Sequence, residues 1–184
     1  MSLLVVRHGR TDWNDQDKVQ GIADIPLNSA GIEQAEKTRE ILKNEKIDLI
    51  ICSPLTRTRQ TAGIINQERN IEILYDERIK ERDFGEFEGL NKQIFNFKDF
   101  WTYSKNLQYE KAENIQKFFK RIYNLLDEVK EKYCDKNVLL VIHGGVSVVV
   151  NAYFEGMPLE NEPTKGVLKN CEVKKYEFEK NKYC

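Results

Sequence analysis

Apolar runs alternate with amphipathic stretches along most of this 184-residue chain. Five short runs rich in valine, isoleucine and leucine are typical of strands. They cover residues 3–7, 47–52, 71–75, 138–142 and 171–178. The last run alternates between apolar and charged residues, which favours an antiparallel strand at the edge of a sheet.

Helical periodicity fills the segments between these strands. We expect Ser29 to cap a helix whose buried face carries Ile32, Ala35, Ile41 and Leu42. Residues 112–134 predict the longest helix, because seven apolar residues recur there at helical spacing. These seven are Ile115, Phe118, Phe119, Ile122, Leu125, Leu126 and Val129.

Two further helices complete the pattern. Pro54 suits the first position of a helix that runs to about residue 67, since that position needs no amide hydrogen. Residues 144–154 are apolar and predict a short, buried helix. Because strands that alternate with helices indicate βαβ units, we expect an α/β fold. It has three α/β/α layers, in which a mostly parallel central sheet carries an antiparallel edge strand.

Residues 84–109 interrupt this alternation. The segment holds eight of the nineteen aromatic residues of the chain. They are Phe84, Phe87, Phe95, Phe97, Phe100, Trp101, Tyr103 and Tyr109. We therefore expect a single domain over residues 1–184, with an aromatic-rich cap inserted at about residues 84–110 over one end of the sheet.

Composition and charge narrow the possible partners. A net charge of −1 provides no field that attracts nucleic acid or an anionic membrane, so neither is expected to bind. No apolar stretch approaches the roughly 18 residues that span a bilayer. The first residues lack the pattern of a signal peptide, because Arg7 interrupts the apolar run. We expect a cytoplasmic protein, and the sequence leaves open a monomer or a homodimer.

The four cysteines give little support to a metal site. They form no Cys-x-x-Cys pair and lie far from both histidines in sequence, so no metal is expected. Cys52 lies within an apolar run and is expected to behave as a small buried hydrophobic residue.

The two histidines of the chain share one local setting. His8 and His143 each end an apolar strand-like run, and each leads directly into glycine. Ligands bind at strand ends in open α/β sheets, so two imidazoles and Arg7 placed there indicate chemistry on an anion. The alternative is that one histidine belongs to the core and the other to the surface.

Other polar residues at the ends of elements extend this candidate site. Arg57 falls in the first turn of a helix that follows the second strand, where free amides and the helix dipole favour anions. Asn14 and Gln20 follow the first strand within one loop. Glu81 stands among several other acidic residues, and without further information a solvated acidic loop is the alternative interpretation.

Six motifs in order now carry a resemblance to a known family. They are Arg7-His8-Gly9-x-Thr11-x-Trp13-Asn14, Gln20-Gly21, Asp24-x-Pro26-Leu27-Asn28-x-x-Gly31-x-x-Gln34-Ala35, Ser53-Pro54-Leu55-x-Arg57-x-x-Gln60-Thr61-Ala62, Glu81-x-x-Phe84-Gly85-x-x-Glu88-Gly89 and His143-Gly144-Gly145. The chain resembles the histidine phosphatase superfamily, which has the phosphoglycerate-mutase-like fold. The resemblance covers residues 3 to about 150.

This resemblance implies a phosphohistidine mechanism without a cofactor or metal. His8 would attack phosphorus as a neutral imidazole whose other nitrogen donates to a fixed acceptor. Arg7, Arg57 and His143 would hold the phosphoryl oxygens, and Glu81 would act as general acid and then as general base. Further contacts with a small-molecule phosphomonoester are expected from Gly9, Asn14, Gln20, Gly21, Gly144 and Trp101.

Within the superfamily, several features favour the phosphatase branch. Phosphoglycerate mutases carry asparagine after the second His-Gly pair and paired arginines in an inserted segment. Here Gly145 follows His143-Gly144, and no arginine lies between Arg82 and Arg121. The chain is therefore similar to α-ribazole phosphatases and broad-specificity phosphatases. The alternatives are a cofactor-dependent phosphoglycerate mutase and a regulatory or protein phosphatase.

The aromatic cap leaves two interpretations of specificity. Its rings indicate a substrate with an apolar or ring-bearing leaving group, such as a nucleoside-like phosphate. The alternative is that they only pack the cap onto the sheet.

Overall fold

A computed structural model describes residues 1–93 and 96–179 of the chain. It contains a five-stranded sheet in the order β3-β2-β4-β1-β5. The strands are β1 (Ser2–Arg7), β2 (Leu49–Cys52), β3 (Ile73–Tyr75), β4 (Val138–Ile142) and β5 (Val173–Glu177). The first four are mutually parallel, and β5 pairs antiparallel with β1 at the edge. The predicted sheet is therefore confirmed, with strand ends shifted by up to two residues.

Helices cover both faces of this sheet. The α-helices that the structure describes are α1 (Asp12–Asp15), α2 (Ser29–Leu42), α3 (Thr56–Ile65), α4 (Phe97–Trp101), α5 (Ile115–Lys132) and α6 (Gly144–Glu155). Side chains of α2 and α3 share one apolar core with alternate strand residues such as Val6 and Ile50. Those of α5 and α6 share another with Val5 and Ile51. This confirms the three α/β/α layers.

The longest helix follows its predicted pattern closely. All seven apolar residues at helical spacing are buried in α5. Asn114 caps the helix, since its side-chain oxygen accepts from the backbone amides of Gln116 and Lys117. No helix among residues 1–93 and 96–179 is long and apolar enough to cross a membrane.

The start and buried face of α2 differ from the prediction. Asn28, not Ser29, caps this helix, because its side-chain oxygen accepts from the Gly31 amide. Two residues predicted on the buried face instead point outward, since Ile32 and Ile41 are 41% and 69% exposed. The buried positions are Gly31, Ala35, Thr38 and Leu42.

The next helix also begins later than predicted. Pro54 lies outside α3, which starts at Thr56 with Leu55 at the N-cap position. The carboxylate of Asp24 accepts from the backbone amide of Thr56 at 2.6 Å and from its hydroxyl at 2.7 Å. A side chain 32 residues away therefore stabilises the first turn, which local sequence could not reveal.

The aromatic residues of the cap pack mainly on one another. Phe84 stacks on Phe100 with ring centroids 5.0 Å apart, and Trp101 meets Phe118 of α5 edge-on at 5.9 Å. Phe100 and Trp101 are 1% and 3% exposed. Phe95 lies outside the described residues. The cap thus shares the core on the α5 side of the sheet.

Candidate active site

The carboxyl ends of three parallel strands bring the two histidines together. β4 lies between β1 and β2, with Arg7 opposite Ile142 and Cys52 opposite Val141. The residues that follow these strands, His8, Ser53 and His143, therefore meet at one edge of the sheet. The imidazole centroids lie 5.3 Å apart.

His8 is held as a neutral imidazole with one free nitrogen. Its Nδ1 lies 2.7 Å from the carbonyl oxygen of Gly9. A carbonyl can only accept, so Nδ1 carries the proton and Nε2 keeps its lone pair. The pKa of His8 is well below its ordinary value, first because the ring is buried and then because Arg57 and Arg7 are close.

His143 contacts protein partners through both of its ring nitrogens. The Nε–H of Arg57 donates to Nδ1 at 3.2 Å, so Nε2 carries the proton and donates to the hydroxyl of Ser53 at 2.7 Å. Burial, followed by Arg57 and His8, lowers the pKa of His143 well below its ordinary value. A phosphoryl oxygen would have to replace one of these partners to bind the ring.

Arg57 lies fully buried at the start of α3. Besides its bond to His143, it donates to the carbonyl oxygens of Ala23 and Gly21, each at 2.7 Å. A guanidinium has five N–H donors, so two have no partner among the described residues and can bind an anion. Burial lowers the pKa of Arg57 to about 10, and the group stays charged at neutral pH.

Arg7 has an unused donor. Its Nη1 donates to the carbonyl of Leu168 at 2.8 Å. Its buried Nε–H has no hydrogen-bond partner within the described part of the chain. A buried donor without a partner is costly, and an anionic ligand in the adjoining cavity would satisfy it. The guanidinium packs on Gly144, where a Cβ atom would lie 3.2 Å from its central carbon.

Glu81 is fixed by backbone amides at the entrance to α6. One oxygen accepts from the amide of Arg82 at 2.9 Å, and the other accepts from that of Gly145 at 2.8 Å. A Cβ atom at Gly145 would lie 2.3 Å from the carboxylate and 2.4 Å from the ring of Trp101. Only glycine therefore allows both side chains to approach this helix so closely.

Asn14 and Gln20 turn their amide oxygens toward the protein. Asn14 Oδ1 accepts from the backbone amide of Thr11 at 3.2 Å and from Asn170 at 3.3 Å. Gln20 Oε1 lies 3.1 Å from the hydroxyl of Thr11. Both residues line the cavity, and no described residue accepts from either NH₂ group, so both can donate to a ligand there.

These side chains surround a cavity of about 290 Å³. Nine of the eleven site residues predicted from sequence line it, namely Arg7, His8, Asn14, Gln20, Gly21, Arg57, Glu81, Trp101 and Gly144. Gly9 and His143 lie behind this surface. Gly9 packs against Gly31, whose carbonyl oxygen would be 2.4 Å from a Cβ atom at position 9. Its place in the site is to hold His8 rather than to line the cavity.

Two lysines that the sequence analysis missed also line the cavity. Lys18 and Lys92 lie beside the motif residues, and Lys92 belongs to the cap segment. Burial, followed by the charge of Arg7, lowers the pKa of Lys92. The cap therefore contributes a charged side chain to the cavity wall, although it contains no arginine. In sequence, each lysine resembles a solvated loop residue, although both stand close to motifs.

A segment before β5 supports the first strand and was also missed. Asn170 donates to the carbonyl of His8 at 3.0 Å as well as to Asn14. The amide of Cys171 donates to the carbonyl of Arg7 at 3.0 Å. No motif pointed to these residues, because more than 150 positions separate them from their partners.

The cavity offers cations from side chains rather than a set of metal ligands. Outside residues 94–95 and 180–184, no group of three or more histidine, cysteine, aspartate or glutamate side chains could hold a metal ion.

Cys52 is fully buried as a free thiol, and burial raises its pKa to about 12.

Comparison with known proteins relates this geometry to a family. The family model of the histidine phosphatase superfamily (branch 1) matches residues 3–183. The uncharacterized phosphatase PhoE of Bacillus subtilis (strain 168) is 35% identical over 182 residues, which cover 99% of this chain and 91% of that protein. The probable phosphoglycerate mutase GpmB of Salmonella arizonae is 28% identical over 195 residues, covering 100% and 87% of the two chains.

Solved structures agree with the sequence relatives. The alpha-ribazole phosphatase from Shigella flexneri superposes with a TM-score of 0.85 at 25% identity, and the match covers 97% of this chain and 91% of that one. The similarity thus extends over the sheet, both helical layers and the strand ends that carry the two histidines. The chain belongs to branch 1 of the histidine phosphatase superfamily.

Proposed function

We propose that this enzyme hydrolyses small-molecule phosphomonoesters through a phosphohistidine intermediate on His8. The observation that carries the proposal is the buried imidazole whose Nδ1 is fixed by Gly9 and whose Nε2 is free. Its lowered pKa keeps the ring neutral near pH 7. A neutral imidazole beside the fully buried guanidinium of Arg57 and the partly buried one of Arg7 provides both a nucleophile and positive charge for the phosphoryl oxygens.

The first chemical step transfers the phosphoryl group to the enzyme. Arg7 and Arg57 hold its oxygens with the N–H donors that have no protein partner, and Asn14 and Gln20 add amide donors. His8 Nε2 forms a bond to phosphorus while the bond from phosphorus to the leaving oxygen breaks. The protonated carboxyl of Glu81 gives its proton to that oxygen, so the product leaves as an alcohol.

The second step reverses the proton transfer. The carboxylate of Glu81 removes a proton from water, the water oxygen bonds to phosphorus, and the bond from His8 Nε2 to phosphorus breaks. Orthophosphate leaves and the imidazole is neutral again. The two backbone amides that hold Glu81 fix the position of its oxygens for both steps.

His143 supports this site as a neutral ring between two polar groups. It accepts from Arg57 and donates to Ser53, so it holds the Nε face of that guanidinium while leaving two Nη hydrogens free. Contact between His143 and a phosphoryl oxygen, which the resemblance implies, requires Ser53 to give up its bond.

Several observations support a small substrate and hydrolysis rather than mutase chemistry. The cavity volume of about 290 Å³ lies at the lower end of the range for small-molecule sites. Phe84, Phe97 and Trp101 line one side of it, which favours a ring-bearing leaving group over a compact sugar acid. At Gly145, an asparagine would collide with both Glu81 and Trp101.

A phosphate-release screen over a metabolite panel, run beside a mutase assay, tests this proposal. Ring-bearing monophosphates should release orthophosphate with equal rates in the presence and absence of EDTA, and vanadate should inhibit. Efficient conversion of 3-phosphoglycerate to 2-phosphoglycerate without phosphate release would contradict hydrolysis. Loss of activity in EDTA that a divalent ion restores would contradict a site built from side-chain cations.

A regulatory or protein phosphatase is the less favoured alternative, because the cavity is small and its wall carries a full set of reactive groups. A cytoplasmic location, the exclusion of nucleic acid and membranes as partners, and a monomeric or homodimeric state stay predictions.

A further inference from the structure

Glu88 lies behind the active-site surface, on the far side of a short loop that holds Arg57. We propose that Glu88 is a positioning residue, which fixes the loop at residues 21–23 and through it the guanidinium of Arg57. The inference deepens the proposed function and rests on it, since it concerns the arginine that binds the phosphoryl group.

The carboxylate of Glu88 accepts three backbone amides. Oε1 accepts from Ile22 at 2.8 Å and from Phe84 at 3.1 Å, and Oε2 accepts from Ala23 at 2.9 Å. A half-buried carboxylate that satisfies three amides holds these loops more firmly than a neutral acceptor would. Glu88 therefore ties the loop at residues 21–23 to the start of the cap.

The same loop presents its carbonyl oxygens to Arg57. Gly21 accepts from Nη2 and Ala23 accepts from Nη1, each at 2.7 Å. The carbonyl of Gly21 and the amide of Ile22 belong to one peptide group. That peptide therefore donates to Glu88 on one side and accepts from Arg57 on the other.

This bridge helps a fully buried cation to be tolerated, beside the charges of Glu81 and Asp24, which raise the pKa of Arg57 more than the charge of Glu88 does. Within the residues that the structure describes, Arg57 makes no ion pair with a carboxylate, although burial penalises its charge. A carboxylate that accepts from the N–H of a peptide group polarises that group. Its carbonyl oxygen, which faces Arg57, then becomes more negative. Glu88 acts on the guanidinium through a peptide, and this leaves two of the N–H groups of Arg57 free for substrate.

The backbone at Gly21 fits this arrangement closely. Its φ of +54° lies in the left-handed region, and a Cβ atom there would be 1.9 Å from Glu88 Oε1. Glycine thus permits both the turn and the close approach of the carboxylate. The Gln20-Gly21 and Glu88-Gly89 motifs, which are far apart in sequence, belong to one assembly.

The test uses the Glu88→Gln variant of the full-length enzyme, with the exposed neighbour Glu86→Gln as matched control. Glutamine has nearly the same shape but turns an NH₂ group toward at least one of the three amides. We expect kcat/KM to fall about ten- to hundredfold, the range found when a residue that hydrogen-bonds a metal ligand is replaced. Glu86→Gln should match the wild type, and the melting temperature of both variants reports whether they fold.

A double-mutant cycle with Arg57→Lys separates positioning from a general structural effect. Lysine cannot bond to both loop carbonyls, so Glu88→Gln should reduce kcat/KM less than about twofold in that background. An equal loss in both backgrounds, or no loss in the wild-type background, would overturn the proposal.

A comparison of substrates with different leaving groups shows whether Glu88→Gln acts through Arg57 or through Glu81. Arg57 contacts the phosphoryl group, so Glu88→Gln should slow p-nitrophenyl phosphate and an alkyl phosphate alike. A loss confined to the alkyl substrate would mean that Glu88 acts through Glu81, and it would also overturn the proposal.

Calorimetry with inorganic phosphate tests the role of Glu88 independently of the proposed function, because it requires no turnover. Glu88→Gln should weaken phosphate binding in wild-type protein, whether or not a substrate is turned over. If the wild type releases no phosphate from any substrate, the proposed function fails while the binding result still decides the role of Glu88. Unchanged phosphate affinity would contradict the positioning role.

Discussion

The Nδ1–H of His8 donates to the carbonyl oxygen of Gly9, the next residue in the chain, over 2.7 Å. This contact fixes both the tautomer and the orientation of the ring without any carboxylate. A carboxylate in the same place would favour the imidazolium, which cannot attack phosphorus. A backbone carbonyl holds the ring and leaves burial and the arginines to keep it neutral.

Replacing His8 with alanine should reduce phosphate release by at least about a thousandfold, since no other group can take the place of a covalent nucleophile. The measurement is steady-state phosphate release, with circular dichroism to show that the fold is retained. A variant that kept more than a few per cent of the wild-type rate would mean that the nucleophile is another residue.

Stability should decrease in mild acid because two buried histidines stay neutral. In the unfolded chain both take up protons near pH 6.5, whereas burial lowers the pKa values of His8 and His143 in the folded protein. The unfolded state thus binds more protons below that pH, and the free energy of unfolding falls as the pH drops through about 6.5.

Urea unfolding of the wild type and the His8→Asn variant at pH 7 and pH 5.5 measures this effect. The variant lacks one titrating group, so its free energy of unfolding should decrease less steeply as the pH falls. The slopes of the two proteins should differ by up to about 1.4 kcal/mol per pH unit. Identical slopes for the two proteins would show that His8 does not contribute.

Glu81→Gln should slow turnover by about 10²–10⁴-fold for leaving groups that need a proton. For p-nitrophenyl phosphate the first step should suffer much less, but water still needs a base, so phosphohistidine should accumulate. Glu77→Gln, an exposed carboxylate earlier in the same loop region, provides the control. The acid-labile phosphate on His8 is measured after rapid quenching, and its absence would argue against Glu81 as the base.

Trp101 should contribute both to stability and to the choice of substrate. Trp101→Ala should cost about 3–5 kcal/mol, as for other buried large aromatic residues, because the ring is 3% exposed and packs on Phe84, Phe100 and Phe118. The milder Trp101→Phe should keep the fold and raise KM for phenyl phosphate more than for glycerol phosphate. An equal loss of activity on both, with a lower melting temperature, would mean that the ring only fastens the cap.

Lys92 should favour substrates with a second anionic group. It lines the cavity near Arg7, and in the described residues it makes no ion pair. Lys92→Ala should raise KM about tenfold for a monophosphate that carries a carboxylate, since a hydrogen bond between charged groups contributes about 1.5–3 kcal/mol. Lys117→Ala, on the exposed side of α5, is the control. Equal changes of KM for phenyl phosphate and the carboxylate-bearing substrate would contradict this assignment.

The sequence by itself determined the layered fold and predicted the candidate residues of the site. A continuous apolar run indicates a strand buried on both faces, and helical spacing shows which side of a helix is buried, so β4 and the seven buried positions of α5 could be predicted directly. Parallel strands end at the same edge of a sheet, so the runs before His8 and His143 predicted that both rings lie at a ligand-binding edge.

Only the tertiary structure decided which atoms of those groups are free. The start of α3 depends on Asp24, and the orientation of Asn14 depends on Asn170, each far away in sequence. The sequence likewise could not show that Lys92 lines the cavity or that His143 is occupied by Ser53 and Arg57. A hydrogen bond or a buried charge is set by distance in space, and local patterns contain no information about partners brought together by folding.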